Sequence, residues 1–145
     1  MVWIAVLISL LWPCPAAPPV DGSSGVIPYA NPYHLGMDFL APFGTPVVSP
    51  VPGTVTFAGD VALNRAVTVE PYEGVKVTVS YLSEIEVREG DFVETGDVLG
   101  QSGYAHHSIP AVHLSLRFLG EYVDPNLLFR CSVRRSGVRL VESGG

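Results

Sequence analysis

Short runs in which apolar and polar residues alternate follow one another along much of the chain, and turns rich in Gly and Pro separate them. In residues 75–80 valines alternate with polar side chains, and in residues 112–119 His113, Ser115 and Arg117 alternate with large apolar residues. Because successive side chains of a strand point to opposite faces, this period of two predicts half-buried β-strands. His113, Ser115 and Arg117 would then share one face of a strand, opposite the face that packs in the core.

Turn signals divide the rest of this region in the same way. Residues 45–59 hold two apolar runs around a Pro-Gly dipeptide, residues 64–87 hold two more around a Glu-Gly turn, and residues 88–103 contain two Gly-Asp turns. No window shows a helical period. Short strands joined by Gly/Pro turns at such intervals are typical of all-β domains. We therefore predict a compact β-sandwich or open barrel of short antiparallel strands.

The N-terminal end has a different character. Residues 1–11 form an apolar run that is too short for a permanent transmembrane helix, and small residues follow at Ala16 and Ala17. This arrangement predicts a secretory signal peptide over residues 1–17, although the run lacks the usual Lys or Arg before it. The alternative is an uncleaved membrane anchor. The sequence further predicts a linker over 18–27, one domain over 28–131 and a polar tail over 132–145, with no permanent transmembrane helix after signal removal.

Composition narrows the classes of partner. The chain has 145 residues, which suits one domain, and its formal net charge of −6 includes a single lysine, Lys76. No clustered basic face is available for nucleic acid or for an anionic membrane surface, so we exclude these partners. After signal removal Cys131 would be the only cysteine and could not form an internal disulfide. The predicted signal peptide indicates an exported domain that is extracellular or in a periplasm-like space.

A candidate metal site begins at the segment "YHLGMDF", which places His34 and Asp38 four residues apart. In a straight strand the two side chains would stand ~13 Å apart, since the rise is ~3.3 Å per residue. A bend or bulge at Gly36 would instead fold them around a common point, and His113 could supply a third ligand from a strand. Two histidines and one aspartate leave a fourth position open, as in catalytic zinc sites. The alternative is a set of ordinary, hydrogen-bonded polar residues.

Three longer segments carry a family resemblance. "HLGMDFLAPFGTPVVSPVPGTVTFAG", "VREGDFVETGDVLGQSG" and "VHLSLRF…YVDPNLLF" occur in this order and span roughly residues 28–129. They resemble the H-x-G-x-D ligand pair, the glycine-rich hairpins and the last ligand strand of the lysostaphin-like, or LytM-type, zinc metallopeptidases. The resemblance implies a β-sandwich peptidase fold, one bound Zn²⁺ and cleavage of peptide bonds in peptidoglycan.

The resemblance also assigns ligands and exposes two losses. The family usually reads H-L-H-F-E-L-R, and alignment on Leu-Arg places His113 at the second, zinc-binding histidine beside His34 and Asp38. The other alignment, with His113 at the first histidine, would leave Ser115 at a ligand position. With the preferred alignment Ala111 replaces one catalytic histidine, and Tyr81 in "VSYLSEI" replaces another.

Other residues could take over the lost roles. Tyr81 could donate a hydrogen bond to an oxyanion, and His106 or His107 in the loop "SGYAHHSIPAV" could reach the metal, with a solvated loop as the alternative. Arg117 could orient a substrate carboxylate, or it could be a salt-bridged surface arginine. Tyr104 could line a groove for peptide or glycan, or it could be an ordinary rim residue.

Two functions therefore remain open from the sequence. The first is an exported zinc metalloendopeptidase acting on peptidoglycan peptides, with full or weakened activity. The second is a non-catalytic domain that keeps a structural zinc site and binds the cell wall or regulates another hydrolase. The retained ligand set favours the first function, and the replaced histidines favour the second.

Overall fold

A computed structural model describes residues 16–130 of the chain. Most of the predicted signal peptide, Cys131 and the predicted tail over 132–145 lie outside the described residues. Within residues 16–130 no helix is long and apolar enough to span a membrane. Val20, in the predicted linker, is fully buried in the core.

The described chain consists almost entirely of strands. Their bounds are β1 Val26–Ile27, β2 Met37–Leu40, β3 Pro46–Val48, β4 Gly53–Val61, β5 Asn64–Tyr72, β6 Val75–Ile85, β7 Phe92–Val93, β8 Val98–Tyr104, β9 Pro110–Phe118 and β10 Glu121–Val123. One 3₁₀ turn, His106–Ser108, lies between β8 and β9. A short helix runs from residue 126 to the end of the described part at residue 130.

All pairings are antiparallel, and the strands follow the order β1-β2-β9-β8-β6-β5-β4-β7, with β10 beside β9 and β3 beside β8. Strand β6 changes partner along its length. Its first half pairs with β9 from Val75 to Ser80, and its second half pairs with β8 from Leu82 onward. Tyr81 stands at the change with a φ of 66°, in the left-handed region. This bend lets one strand pair with both β9 and β8.

Alternation along β6 and β9 separates core from groove. Val77, Val79, Leu114 and Leu116 are each 0–1% exposed and pack in one core cluster. The intervening residues face the other side, where Thr68 on β5 and its neighbours on β6 and β9 form the floor of an open cavity. The predicted all-β class with short antiparallel strands is confirmed, and so are the alternating strands at 75–80 and 112–119. The terminal strands β1 and β10 and the short helix were not foreseen.

Candidate metal centre

His34 and Asp38 reach the site from a bent segment. The chain bends at residues 35–36, immediately after His34 forms an isolated bridge with Ala30. Asp38 lies on β2 and is the register partner of His113 on β9, so backbone pairing itself sets these two side chains against each other. The bend at Gly36 that the sequence predicted is present, and it brings His34 Nε2 to 3.2 Å from Asp38 Oδ2.

Asp38 is the centre of the cluster. His113 Nδ1 lies 2.7 Å from Asp38 Oδ1, and His106 Nε2 lies 4.0 Å from the same oxygen. One ligand atom from each of His34, Asp38, His106 and His113 lies within 4.8 Å of the other three. Asp38 is only 3% exposed, so a carboxylate without a cationic partner here would carry a large desolvation cost.

The hydrogen bonds of His34 test whether this cluster suits a cation. His34 Nδ1 lies 2.7 Å from the carbonyl oxygen of Pro28, and because a carbonyl only accepts, Nδ1 carries a proton. In neutral His34 the other ring nitrogen, Nε2, then presents a lone pair. That atom is buried, has no hydrogen-bond partner among residues 16–130 and faces the carboxylate of Asp38. Two lone pairs facing each other repel unless a positive charge lies between them, so the residues fit a metal ion.

The ionisation of Asp38 agrees with this role. Burial raises the pKa of its carboxyl, but the hydrogen bond to His113 and the positive charges of His113, His34 and His106 when these are protonated outweigh burial, so the pKa lies below its ordinary value. The carboxylate therefore stays ionised and available as a ligand at neutral pH.

Two of the three residues predicted to supply acid–base chemistry meet at the edge of the cluster. The hydroxyl of Tyr81 lies 3.3 Å from His106 Nδ1, and the two rings meet edge to face with centroids 5.0 Å apart. The amide N–H of Tyr81 donates to Asn64 Oδ1 at 2.6 Å, which holds the strained residue in place. Burial, more than any other effect, lowers the pKa of His106 below its ordinary value, although Asp38 opposes the shift. His106 is therefore neutral at neutral pH.

His107 has a different position. It is exposed, adopts a left-handed conformation with φ 58° and ψ 31°, and does not belong to the group of converging ligand atoms. Ala111, where the family resemblance expects a catalytic histidine, is fully buried in β9. Within the described chain, His106 is thus the histidine that stands beside the three predicted ligands.

The two predicted substrate-contacting residues border different cavities. Arg117 lines a cavity of about 570 Å³ that begins at His113, whereas Tyr104 lines a second one of about 550 Å³ that Tyr81 also borders. Tyr104 packs against Phe43, with ring centroids 5.1 Å apart. Arg117 takes part in no ion pair within residues 16–130.

Lys76, Thr78 and Ser80 had no functional role predicted from the sequence. All three line the larger cavity together with the polar face of β9. The period-two alternation of residues 75–80 was the signal for this, since a strand with a valine face in the core must present its polar face elsewhere. The alternation could not predict the register of β6 against β9, which places this face beside His113.

Gly36 offers a direct test of the cluster's packing. A Cβ atom at Gly36 would lie 2.4 Å from His113 Nε2 and 2.5 Å from the backbone oxygen of Leu114, far inside contact distance. We expect Gly36→Ala to destabilise the fold by roughly 1–3 kcal/mol and to reduce metal content. Gly59→Ala is the matched control, since its Cβ would meet only Phe57 at 3.6 Å. Thermal unfolding and elemental analysis of both variants provide the comparison, and a Gly36→Ala chain that matches Gly59→Ala in both would contradict this packing.

Comparison with known proteins places the domain in a family. The model of peptidase family M23 matches residues 32–125. The DD-carboxypeptidase/endopeptidase Mpg of Neisseria meningitidis is 35% identical over 94 residues, covering 63% of this chain and 22% of that protein. Stage II sporulation protein Q of Bacillus subtilis is 33% identical over 113 residues, covering 72% of this chain and 40% of that protein. The chain thus spans less than half the length of either curated relative.

Solved structures agree with this placement. A putative M23 peptidase from Pseudomonas aeruginosa superposes with a TM-score of 0.71 at 31% identity, over 81% of this chain and 51% of that one. Lysostaphin from Staphylococcus simulans shares the fold, with a TM-score of 0.65 at 20% identity over 76% of this chain and 49% of that one. The chain belongs to peptidase family M23.

Proposed function

We propose that this chain is a zinc-dependent endopeptidase domain that cleaves peptide bonds in peptidoglycan. The observation that carries the proposal is the convergence of His34 and His113 on the buried carboxylate of Asp38, with His34 Nε2 buried and without a hydrogen-bond partner in the described part of the chain. Nitrogen and carboxylate oxygen are ligands that Zn²⁺ takes in catalytic sites, where three protein ligands leave one position open. These three residues would hold one Zn²⁺.

Bound zinc would supply an activated water and a polarised scissile carbonyl. The remaining chemistry falls to this chain's own side chains. His106 is neutral at neutral pH because burial lowers its pKa, so its Nε2, 4.0 Å from Asp38 Oδ1, can accept a proton beside the cluster. Its other nitrogen lies against the hydroxyl of Tyr81, which orients the ring and limits its rotation. His106 is the proposed proton acceptor and Tyr81 its positioning residue.

The substrate assignment rests on the shape of the groove and on the family. The cavity of about 570 Å³ runs from His113 along strands β6 and β9. Its shape suits an extended peptide that lies on this face of the sheet, along the two strands. The Neisseria relative is named a DD-carboxypeptidase/endopeptidase, and peptidase chemistry on peptidoglycan peptides would require an exported domain. We accordingly assign the chain to the cell wall, the extracellular space or a periplasm-like space, with residues 1–17 as its signal and residues 28–131 as the peptidase domain.

A second candidate function has an observation of its own. His106 belongs to the same group of residues with converging ligand atoms as the three proposed ligands. With four protein ligands the site would be closed, as structural zinc sites are, and the chain would be a non-catalytic domain that binds cell-wall peptide or regulates another hydrolase. The similarity to Stage II sporulation protein Q supports this second function, since a similar solved structure is that of the SpoIIQ–SpoIIIAH pore-forming complex.

Metal content and wall digestion distinguish these functions. The full chain, purified without chelator, is expected to contain about one zinc ion and to release soluble peptides from purified peptidoglycan. A strong chelator should abolish release, and added Zn²⁺ should restore it. Zinc without release would support the closed, non-catalytic site. A chain that takes up no zinc would contradict both functions.

A further inference from the structure

The floor of the larger cavity has a chemical gradient. Strands β6 and β9 pair in register, so their polar faces form three cross-strand pairs. In order along the groove these pairs are His113 with Ser80, Ser115 with Thr78, and Arg117 with Lys76. The metal cluster therefore occupies one end of the floor, hydroxyl groups its middle and two cations the other end.

Neither of the two cations has an ion-pair partner in the described part of the chain. Within residues 16–130 neither Arg117 nor Lys76 makes an ion pair, and this holds also for Glu70 on the neighbouring strand β5 as a possible partner. Like charges directly opposite each other on adjacent strands are destabilising. The chain nevertheless places two of its few basic residues together here, although its net charge is −6. A bound anion would offset their repulsion.

Packing prepares Arg117 for this role. Its guanidinium carbon lies 5.5 Å from the centre of the Tyr122 ring, on the cross-strand neighbour β10. This contact restricts the guanidinium group without occupying its N–H donors. Arg117 is half-buried and Lys76 is exposed, so a ligand entering the groove can reach both.

We propose that Arg117 and Lys76 form a subsite for a carboxylate of the bound peptide. The inference rests on the proposed function, since it assumes that a peptide lies along this floor. Arg117 offers a planar fork that matches a carboxylate, and Lys76 adds a second donor. His113 and Arg117 are four positions apart on β9, which corresponds to ~13 Å at ~3.3 Å per residue. The carboxylate thus lies three to four residues from the bond held at the metal cluster.

The test measures peptide binding and does not depend on cleavage. Two octapeptides of Gly and Ala are blocked at both ends, and one carries a Glu near its N-terminus and the other a Glu near its C-terminus. Each is compared with its uncharged twin, in which Gln replaces the Glu. A third type carries Gln and a free C-terminal carboxylate, which separates a side-chain source of the charge from a terminal one. Affinities for the zinc-treated full chain are measured by calorimetry at low and high salt. Mass spectrometry of the same samples reports any cleavage.

At low salt we expect at least one carboxylate peptide to bind about 5-fold tighter than its uncharged twin, which is within the range of a partly exposed ion pair. Added salt should reduce the preference. Arg117→Gln and Lys76→Gln should each weaken it, and the two together should remove it. Arg88→Gln, which removes the same charge from an exposed residue outside this cavity, should leave it unchanged.

Three results would overturn the carboxylate subsite: equal affinity for charged and uncharged twins, a preference that survives both substitutions, or no binding of any peptide. Zinc content and wall digestion of the same preparations report on the proposed function separately. A chain that contains zinc and digests wall without charge preference overturns only the subsite. A chain that prefers carboxylate peptides but never digests wall supports the subsite and contradicts the peptidase.

Discussion

Replacing Asp38 by alanine is expected to empty the metal site and abolish peptide release. Asp38 is the residue that the three histidines of the cluster face, with nitrogen–oxygen distances of 2.7, 3.2 and 4.0 Å. Structural zinc sites with four ligands bind with ~10–16 kcal/mol, so one ligand contributes roughly 3 kcal/mol, or more than a hundredfold in Kd. Removing the carboxylate also removes the negative charge that brings the imidazoles and the cation together. Elemental analysis after dialysis measures the first effect, and peptidoglycan digestion measures the second.

Two further variants make this result interpretable. Asp38→Asn keeps the shape of the side chain and lacks only the charge, so it separates loss of metal from loss of fold. Asp60→Ala is the surface control, because the Asp60 side chain is 72% exposed and forms an ion pair with the surface residue Arg65. If Asp38→Asn folds and keeps a full complement of zinc and activity, the ligand assignment is wrong.

The sequence could predict those parts of the fold that depend on local pattern. Strands β6 and β9 were predictable because alternation and turn residues act over a few positions, and the observed bounds, Val75–Ile85 and Pro110–Phe118, follow them. Strands β1 and β10 have two and three residues and form only because longer strands offer them an edge. Such short elements carry no periodic signal of their own, and neither does the helical turn that ends the described chain.

The site likewise has features that local sequence could predict and features that depend on the rest of the fold. Gly36 signalled the bend that joins His34 to Asp38, and alternation placed His113 on a polar strand face. The position of His106 was left open between a solvated loop and the metal, because the 3₁₀ turn that carries it depends on the surrounding fold. The paired cations Lys76 and Arg117 became visible only with the register of β6 against β9. Register is a long-range property, and hydrophobic pattern alone does not specify which polar residues become neighbours.

Replacing His106 by alanine is expected to lower peptide release by ~10²–10⁴-fold, the usual contribution of a positioned acid–base group, while zinc content stays near that of the parent chain. His34, Asp38 and His113 remain, so three ligands still hold the ion. Tyr81→Phe should have a smaller effect of roughly 10-fold, since it removes one hydrogen bond to a partly exposed ring and leaves the acceptor itself in place. Initial rates of peptide release and elemental analysis of each variant measure the two effects.

His107→Asn is the matched control for this experiment, because it alters the neighbouring histidine, and Asn tolerates the left-handed backbone found there. It is expected to retain both zinc and activity. The outcomes separate the two candidate functions: a proton acceptor loses rate and keeps zinc, whereas a fourth ligand loses zinc. If His106→Ala lowers the zinc content as much as His34→Ala does, His106 closes the coordination sphere and the chain is the non-catalytic form. If His107→Asn stops release while His106→Ala does not, the proton acceptor is His107, and the contact between Tyr81 and His106 has no catalytic role.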